Sequence, residues 1–374
     1  MTEYLLNNCI EASFQKFLYP LNLTHFIVYS PKYYISDNFI TPNNNKTKCI
    51  SLCCALCYIL IFIIALFFHF DLRFYKGVLL FLFIITYVIV AVSYIINFIV
   101  NSIQSDINVD FVVTIQKINY SLKYVKIDFE SFVFGNWIYF SVLYFSYIFL
   151  IGTHLYQSNF SLILCLYYIA LVMTDVNVIY LTRVIQLLTH VTQTWMSEVI
   201  YVDEMTKGTE MFRKESVQFK SNWKTLFKIY LDITNAASLY EKMAKIQIVF
   251  YITTDLFSVL IHVEVILMYP DDFWSNMILG FIWTLKYFIL IAIISFKTEE
   301  FFTTLKNTQV IFLLSNATEE CSGKHVLSKS VLRAGNAVYV ARESSAFSLD
   351  ARLPLSLLSC ITTYVVVLLQ FKLT

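Results

Sequence analysis

Glycine, proline and charge are what this chain has least of. Its 374 residues include only 7 Gly and 5 Pro, which speaks against a transporter built from repeated, Gly- or Pro-broken spans. No internal repeat is evident. Charged residues make up 14% of the chain, against about a quarter in a soluble globular protein. The net charge is +1, so neither sign is in excess and no bulk electrostatic partner such as nucleic acid is implied. Eight cysteines are present, none in a segment expected outside the cell, and a disulfide framework is not expected. There is no GxSxG, HExxH, P-loop or dinucleotide fingerprint, and neither an enzyme nor a cofactor is expected.

What is present is apolar. Hydrophobic residues are 58% of the chain, mean hydropathy is +0.65, and there are 34 Phe and 26 Tyr. Length alone would suit two or three soluble domains. Composition instead places the chain in a membrane, as an all-α protein. Seven apolar runs are each long enough to cross a bilayer as a helix: 49–70, 78–100, 132–152, 160–181, 246–268, 277–296 and 353–371. Before them, residues 1–48 carry Pro20, Pro31 and Pro42 and read as an irregular segment with one short amphipathic helix near 10–18. Most aromatics read as gap-filling between long helices.

Basic residues set the expected orientation. With the N-terminus inside, the inside segments hold four Lys/Arg before the first span, three between the second and third, nine in 182–245 and seven in 297–352. Outside stand only Arg73, Lys76 and Lys372. The N-terminus is therefore expected in the cytoplasm and the C-terminus outside, opposite to a G-protein-coupled receptor. The chain divides into a cytoplasmic segment 1–48, spans 1–4 in 49–181, a cytoplasmic helical extension 182–245, spans 5–6 in 246–296, a cytoplasmic segment with a pre-pore helix 297–352, and span 7 in 353–374. Val184, Leu187, Leu188, Val191 and Trp195 keep helical spacing, as do Trp223, Leu226, Phe227, Tyr230 and Leu231. N-glycosylation sequons stand at Asn22, Asn45, Asn119, Asn159 and Asn316. Glycan at Asn22 or Asn45 would contradict this topology.

Ionisable residues inside apolar spans are expensive and draw attention first. They are Asp175, Asp255, Glu264 and Lys286, with His262 beside Glu264. At about 1.5 Å per residue, Asp255 and Lys286 reach the same depth on consecutive antiparallel spans. They are expected to form a buried ion pair that fixes spans 5 and 6, with ligand contact by Lys286 as the other reading. Cys49, Cys53 and Cys57 share one helical stripe, with Cys54 beside them. A metal there would lack His or carboxylate support. Packing, or lipidation of Cys49, accounts for them more simply, and no metal site is expected.

The final span carries Thr363-Tyr364-Val365-Val366-Val367-Leu368-Leu369-Gln370-Phe371. Val367, Val366, Thr363, Ser359 and Ser356 share a narrow, small, partly polar face with Gln370. Such a face serves either helix packing in the membrane or a water-lined path. Thr-Tyr, five hydrophobic residues and Gln-Phe at the end of a seventh span resembles the C-terminal signature of insect gustatory receptors, and Phe347-Ser348-Leu349-Asp350 ahead of it fits as well. The rest of the chain is similar to that family in layout. The resemblance implies a ligand-gated cation channel in the plasma membrane of gustatory neurons, a homotetramer or a heterotetramer with other gustatory receptors. It also implies a central pore built from the last helices, with Gln370 and Val367 lining it. A ring of Val367 would block ions by dewetting, and no acidic ring is present in span 7 to favour divalent ions.

The resemblance further implies a ligand pocket within each subunit among spans 2 to 6. By depth its candidates are Tyr87, Tyr147, His154, Glu264, Trp283, Lys286 and Tyr287, although each also fits as packing. An aromatic cavity with few polar groups suits a small, partly apolar tastant. Val365, not Glu, follows Tyr364, a departure from sugar-sensing members that points to a bitter or deterrent plant compound. A fructose-type sugar channel and a metabotropic seven-span receptor are the alternatives.

Overall fold

The computed structural model describes residues 8–69, 78–157, 162–208, 216–268, 273–317, 322–344 and 350–373. The expected outside connections, with Arg73, Lys76 and Asn159, lie outside these residues, as does Phe347-Ser348-Leu349. The described elements run α1 (Ala12–Ile27), β1 (Tyr34–Ser36), β2 (Phe39–Thr41), α2 (Asn45–His69), α3 (Val78–Ile103), α4 (Ser105–Ser121), α5 (Glu130–Gln157), α6 (Leu162–Gly208), α7 (Ser216–Met268), α8 (Phe273–Ala317), α9 (Ser322–Ser344) and α10 (Leu353–Leu373). Six of these helices, α2, α3, α5, α6, α7 and α8, are long and apolar enough to cross a membrane. The chain is therefore a multi-pass α-helical membrane protein. In α10 the described apolar stretch is shorter, Leu353–Val367.

Three helices greatly exceed a bilayer. α6 has 47 residues, α7 has 53 and α8 has 45, so each runs about 70 to 80 Å against a hydrocarbon core of about 30 Å. Their surplus ends form a second helical layer together with α9. Its centre is aromatic: Trp195 lies 5.3 Å from Tyr230 and 5.9 Å from Phe312, and Trp223 meets Phe312 at 5.5 Å. The Trp195 indole N–H donates to the Leu226 carbonyl at 2.9 Å. These are the residues whose spacing marked the helical extensions.

Residues 8–48 are more ordered than their prolines imply. α1 continues through Pro20 to Ile27 and packs Phe14 and Phe17 against Phe129 and Phe132, at 4.7 and 6.0 Å. A two-residue turn at Asp37 and Asn38, with φ of 50° and 67°, closes the β1–β2 hairpin. Asp and Asn tolerate that left-handed conformation better than most residues. Helix α4 had no counterpart among the expected elements. It is amphipathic, burying Asn108, Val109, Phe111, Val112, Ile115 and Ile118. It follows directly on the apolar helix α3, so its weaker signal is overshadowed. The sequon residue Asn119 is itself buried and donates to Glu11 Oε2 at 3.1 Å, which leaves no room for a glycan.

Two polar clamps hold these pieces. The Glu198 carboxylate of α6 accepts from the backbone N–H groups of Lys123, Tyr124 and Val125 at 2.9 to 3.3 Å, fixing the connection between α4 and α5. Lys32 is fully buried. Its ammonium donates to Asn101 Oδ1 at 2.7 Å and stands 4.6 Å over the Tyr180 ring. Gln247 of α7 donates to the same Asn101 oxygen at 2.8 Å. Burial pushes the Lys32 ammonium well below the usual lysine range. His25, between the Leu21 carbonyl and Asn177 Oδ1, is lowered to about 3, first by burial and then by Lys32.

The sign of that shift dictates an acid dependence. Between the ordinary pKa of 6.5 and about 3, the unfolded chain binds a proton at His25 that the folded chain refuses. Stability is therefore complete above about 6.5 and lost as pH falls, by at most about 1.4 kcal/mol per pH unit from this group. The thermal midpoint of the purified protein in detergent should fall steadily from pH 6.5 to 4. His25→Gln, which keeps a hydrogen-bonding side chain but cannot titrate, should flatten that fall. An unchanged slope in the variant would assign the acid sensitivity to other groups.

Candidate functional site

The charged groups inside the apolar layer converge at one place. Lys286 of α8 donates to Asp175 Oδ2 of α6 at 2.7 Å and to the Tyr147 hydroxyl of α5 at 3.0 Å. Tyr147 in turn donates to the same Asp175 oxygen at 2.6 Å. Three helices thus meet in one closed triangle of hydrogen bonds. The lysine ammonium also lies over three aromatic faces: Tyr287 at 4.1 Å, Trp283 at 4.2 Å and Tyr147 at 4.6 Å. Cation–π contacts of this kind strengthen when water is excluded, and Asp175 is fully buried.

The expected pairing of Lys286 with Asp255 is corrected here: the lysine takes Asp175. Sequence adjacency of spans 5 and 6 favoured Asp255, but α6 is the helix against which α8 packs most extensively, and the Tyr147 hydroxyl reinforces the acceptor on that side. Asp255 stands within electrostatic reach of both Lys286 and Asp175 without a salt bridge to the lysine. Its Oδ1 is buried and unbonded among the described residues, as are Asp175 Oδ1 and the hydroxyls of Tyr251 and Tyr287.

Aromatic rings extend the site on both sides. Trp283 stacks on Tyr168 at 5.4 Å and on Tyr287 at 5.8 Å, and Tyr287 meets Tyr251 edge-on at 5.9 Å. Tyr168 leads through Tyr167 to Tyr87, with centroids 6.0 and 5.3 Å apart. Tyr167 shares a 3.3 Å hydrogen bond with Ser258 of α7. Of the seven pocket candidates, Tyr147, Trp283, Lys286 and Tyr287 are brought together at Asp175, and Tyr87 joins them through Tyr167. Glu264 does not. It is buried on α7 with Oε2 unbonded among the described residues, facing Tyr364 of α10. His154 belongs to the last turns of α5, outside the residues whose side chains are described.

Sequence reasoning singled out both Asp175 and Lys286 but not their pairing, and it missed Tyr167, Tyr168 and Tyr251. Their signal was present only as depth: aromatic positions on α6 and α7 at the level of Lys286.

The last helix presents two faces. Pro354 is buried and Leu353, Leu357, Ile361, Tyr364 and Val365 are partly buried, whereas Ser356, Ser359, Thr363, Val366, Val367 and Gln370 are exposed. The Thr363 hydroxyl donates to the Ser359 carbonyl at 2.8 Å and Ser356 to Arg352 at 3.2 Å, so these hydroxyls are satisfied within the helix. Asp350 Oδ1 caps the helix start, accepting from the Leu353 N–H at 3.1 Å. The Phe371 side chain lies outside the described ones. On α2, Cys49, Cys53 and Cys57 are exposed, so this stripe does not pack within the chain, and no metal-binding group of His, Cys, Asp or Glu occurs among the described residues.

The ion pair can be tested by a mutant cycle. Removing one partner of a buried pair typically costs about 3–5 kcal/mol, because the other charge is left bare. Asp175→Asn and Lys286→Met should each lower the thermal midpoint strongly, and the double variant should recover much of the loss. Asp255→Asn should be far milder. Equal effects of Asp175→Asn and Asp255→Asn would refute the assignment of Asp175 as the partner.

No family model matches the chain, and no curated protein is significantly similar to it, so the role of this site follows from its chemistry and its connection to α10.

Proposed function

We propose that the chain is a subunit of a ligand-gated, non-selective cation channel serving as a taste receptor, with its N-terminus in the cytoplasm and α10 as a seventh span at a shared pore. The observation that carries this reading is the uncovered face of α10. Ser356, Ser359, Thr363, Val366, Val367 and Gln370 all lie on it, while the opposite face packs on α7 and α8. A small, partly polar helix face is disfavoured against lipid and suits a helix contact or a water-lined path. A symmetric assembly that turns this face inward relieves that cost and forms a lumen with Val367 as its narrow apolar ring. The resemblance of Thr363-Tyr364 and Gln370-Phe371 to the gustatory receptor signature supports the same arrangement.

The buried triangle supplies the other half of the reading. It is lined by aromatic rings and includes Lys286 of α8, the helix on which α10 packs. A ligand that binds one arrangement of α8 better than another shifts the channel by that difference in affinity. A bitter or deterrent plant compound fits the aromatic surroundings.

Whole-cell recording from cells expressing only this chain tests the proposal, with sugars and bitter plant compounds applied while G-protein signalling is blocked. An inward cation current should survive the block, and Gln370→Ala should change its permeability ratios about twofold or more. A response abolished by the block would favour a metabotropic receptor instead.

A further inference from the structure

Helix α2 meets the rest of the chain along one narrow face. Ser51, Ala55, Tyr58 and Phe62 are buried there, at the spacing that keeps residues on one side of a helix. The rotation of α2 is fixed at Tyr58. Its hydroxyl donates to the Leu166 carbonyl of α6 at 2.9 Å, and its ring stacks on Tyr94 of α3 at 4.1 Å. With 3.6 residues per turn, Cys49 and Cys53 fall on the opposite side of the helix, together with Leu56, Leu60 and Ile64. All five are exposed, and Cys57 continues the thiol row one turn further, also exposed. Free cysteine is among the most buried residue types, yet here three thiols stand in one row on the outward face of a membrane helix.

Depth separates the three. Lys46 and Lys48 precede Cys49, and their ammonium groups hold the start of α2 at the water boundary. Cys49 is the first residue of the apolar run, so its thiol stands where headgroups meet acyl chains. Cys53 and Cys57 lie about 6 and 12 Å deeper along the helix. With the N-terminus in the cytoplasm, this boundary is the cytoplasmic one. Thiols there are kept reduced, and a metal would find no His or carboxylate beside them. The cytoplasmic boundary does hold long-chain acyl thioesters, and a cysteine at the edge of a membrane helix is a substrate for acyl transfer from them.

We propose that Cys49 is S-acylated by a long-chain acyl-coenzyme A. The Cys49 sulfur attacks the acyl carbonyl carbon. A carbon–sulfur bond to Cys49 forms and the one to coenzyme A breaks. Coenzyme A leaves as a thiol with the proton that Cys49 gives up, and nothing is oxidised or reduced. The chain then runs inward over Cys53, whose short side chain leaves a shallow track between Leu52 and Leu56 on one side and Ile50 and Ile61 on the other. All four are exposed and apolar. The acyl chain thus adds lipid contact to a helix that packs chiefly on α3 and α6. The inference rests on the inward-facing N-terminus of the proposed function and not on channel activity.

Expression of the full chain in eukaryotic cells fed an alkyne-bearing palmitate tests this. Trypsin cuts after Lys48 and Arg73, so Cys49, Cys53, Cys54 and Cys57 travel on one peptide, 49–73. The alkyne should appear on that peptide and be released by neutral hydroxylamine, which cleaves thioesters. Cys49→Ser should lose the label, whereas Cys53→Ser and Cys57→Ser should keep it. All three positions are exposed, so the variants should stay monodisperse; Cys49→Ala gives the same readout if serine disturbs expression. An unlabelled wild-type peptide, a label that resists hydroxylamine, or one that survives Cys49→Ser would overturn the proposal. An epitope at the N-terminus separates this result from the topology. Staining of intact cells would remove the inward-facing N-terminus and the acylation with it. Staining only after permeabilisation, with no label on the peptide, would overturn the acylation and leave the channel reading intact.

Discussion

Lys286 carries a positive charge into the apolar middle of α8, and the arrangement of its neighbours answers to that charge. An unpaired ammonium at that depth would cost several kcal/mol. The protein meets the cost with one carboxylate from α6, one phenol from α5 and three aromatic faces. Each partner comes from a defined height on its helix, so the charge fixes the vertical register of three helices at once. Interdigitated apolar side chains also resist sliding, and the charge adds the requirement that its partners stand at its own height. The pair thus acts as a specificity device in a layer otherwise held by shape.

The same economy of polar contacts recurs at the other levels. Asn101 receives Lys32 from the N-terminal segment and Gln247 from α7. Glu198 holds three consecutive backbone N–H groups. In each case one buried polar side chain ties together segments far apart in sequence. The continuous helices α6, α7 and α8 join these ties to the membrane layer without a break. A displacement at Lys286 therefore has a stiff path to the Trp195–Phe312 cluster.

Much of the fold was legible as hydrophobic length. The apolar runs coincide with helices because a stretch of about 20 apolar residues has few other stable forms. Trp195, Trp223 and Tyr230 were legible as members of helical extensions because they keep helical spacing, but their meeting with Phe312 in one core was not. The candidate site was half legible. Tyr147, Trp283, Lys286 and Tyr287 could be gathered by depth, since rise along a helix is fixed. Which carboxylate Lys286 takes could not, because depth leaves open which way a helix is turned and which neighbour it faces. Depth and span adjacency favoured Asp255, and tertiary packing gives the lysine to Asp175 instead. Residues 8–48 were the least legible. Their order comes from contacts with α4, α5 and α6 rather than from local propensity.

That last feature bears on how the chain is made. Ribosomes deliver α1 first, yet its partners arrive late: Asn136, which donates to the Phe17 carbonyl, lies 119 positions further on. At typical synthesis rates α1 waits on the order of ten seconds for them. During that interval Phe14 and Phe17 have nothing of their own chain to cover them. α1 therefore settles only after segments made later than itself are in place. Biogenesis must shield it until the third and fourth apolar helices are in place, and a bulky fusion at the N-terminus would interfere at that late step rather than at membrane insertion.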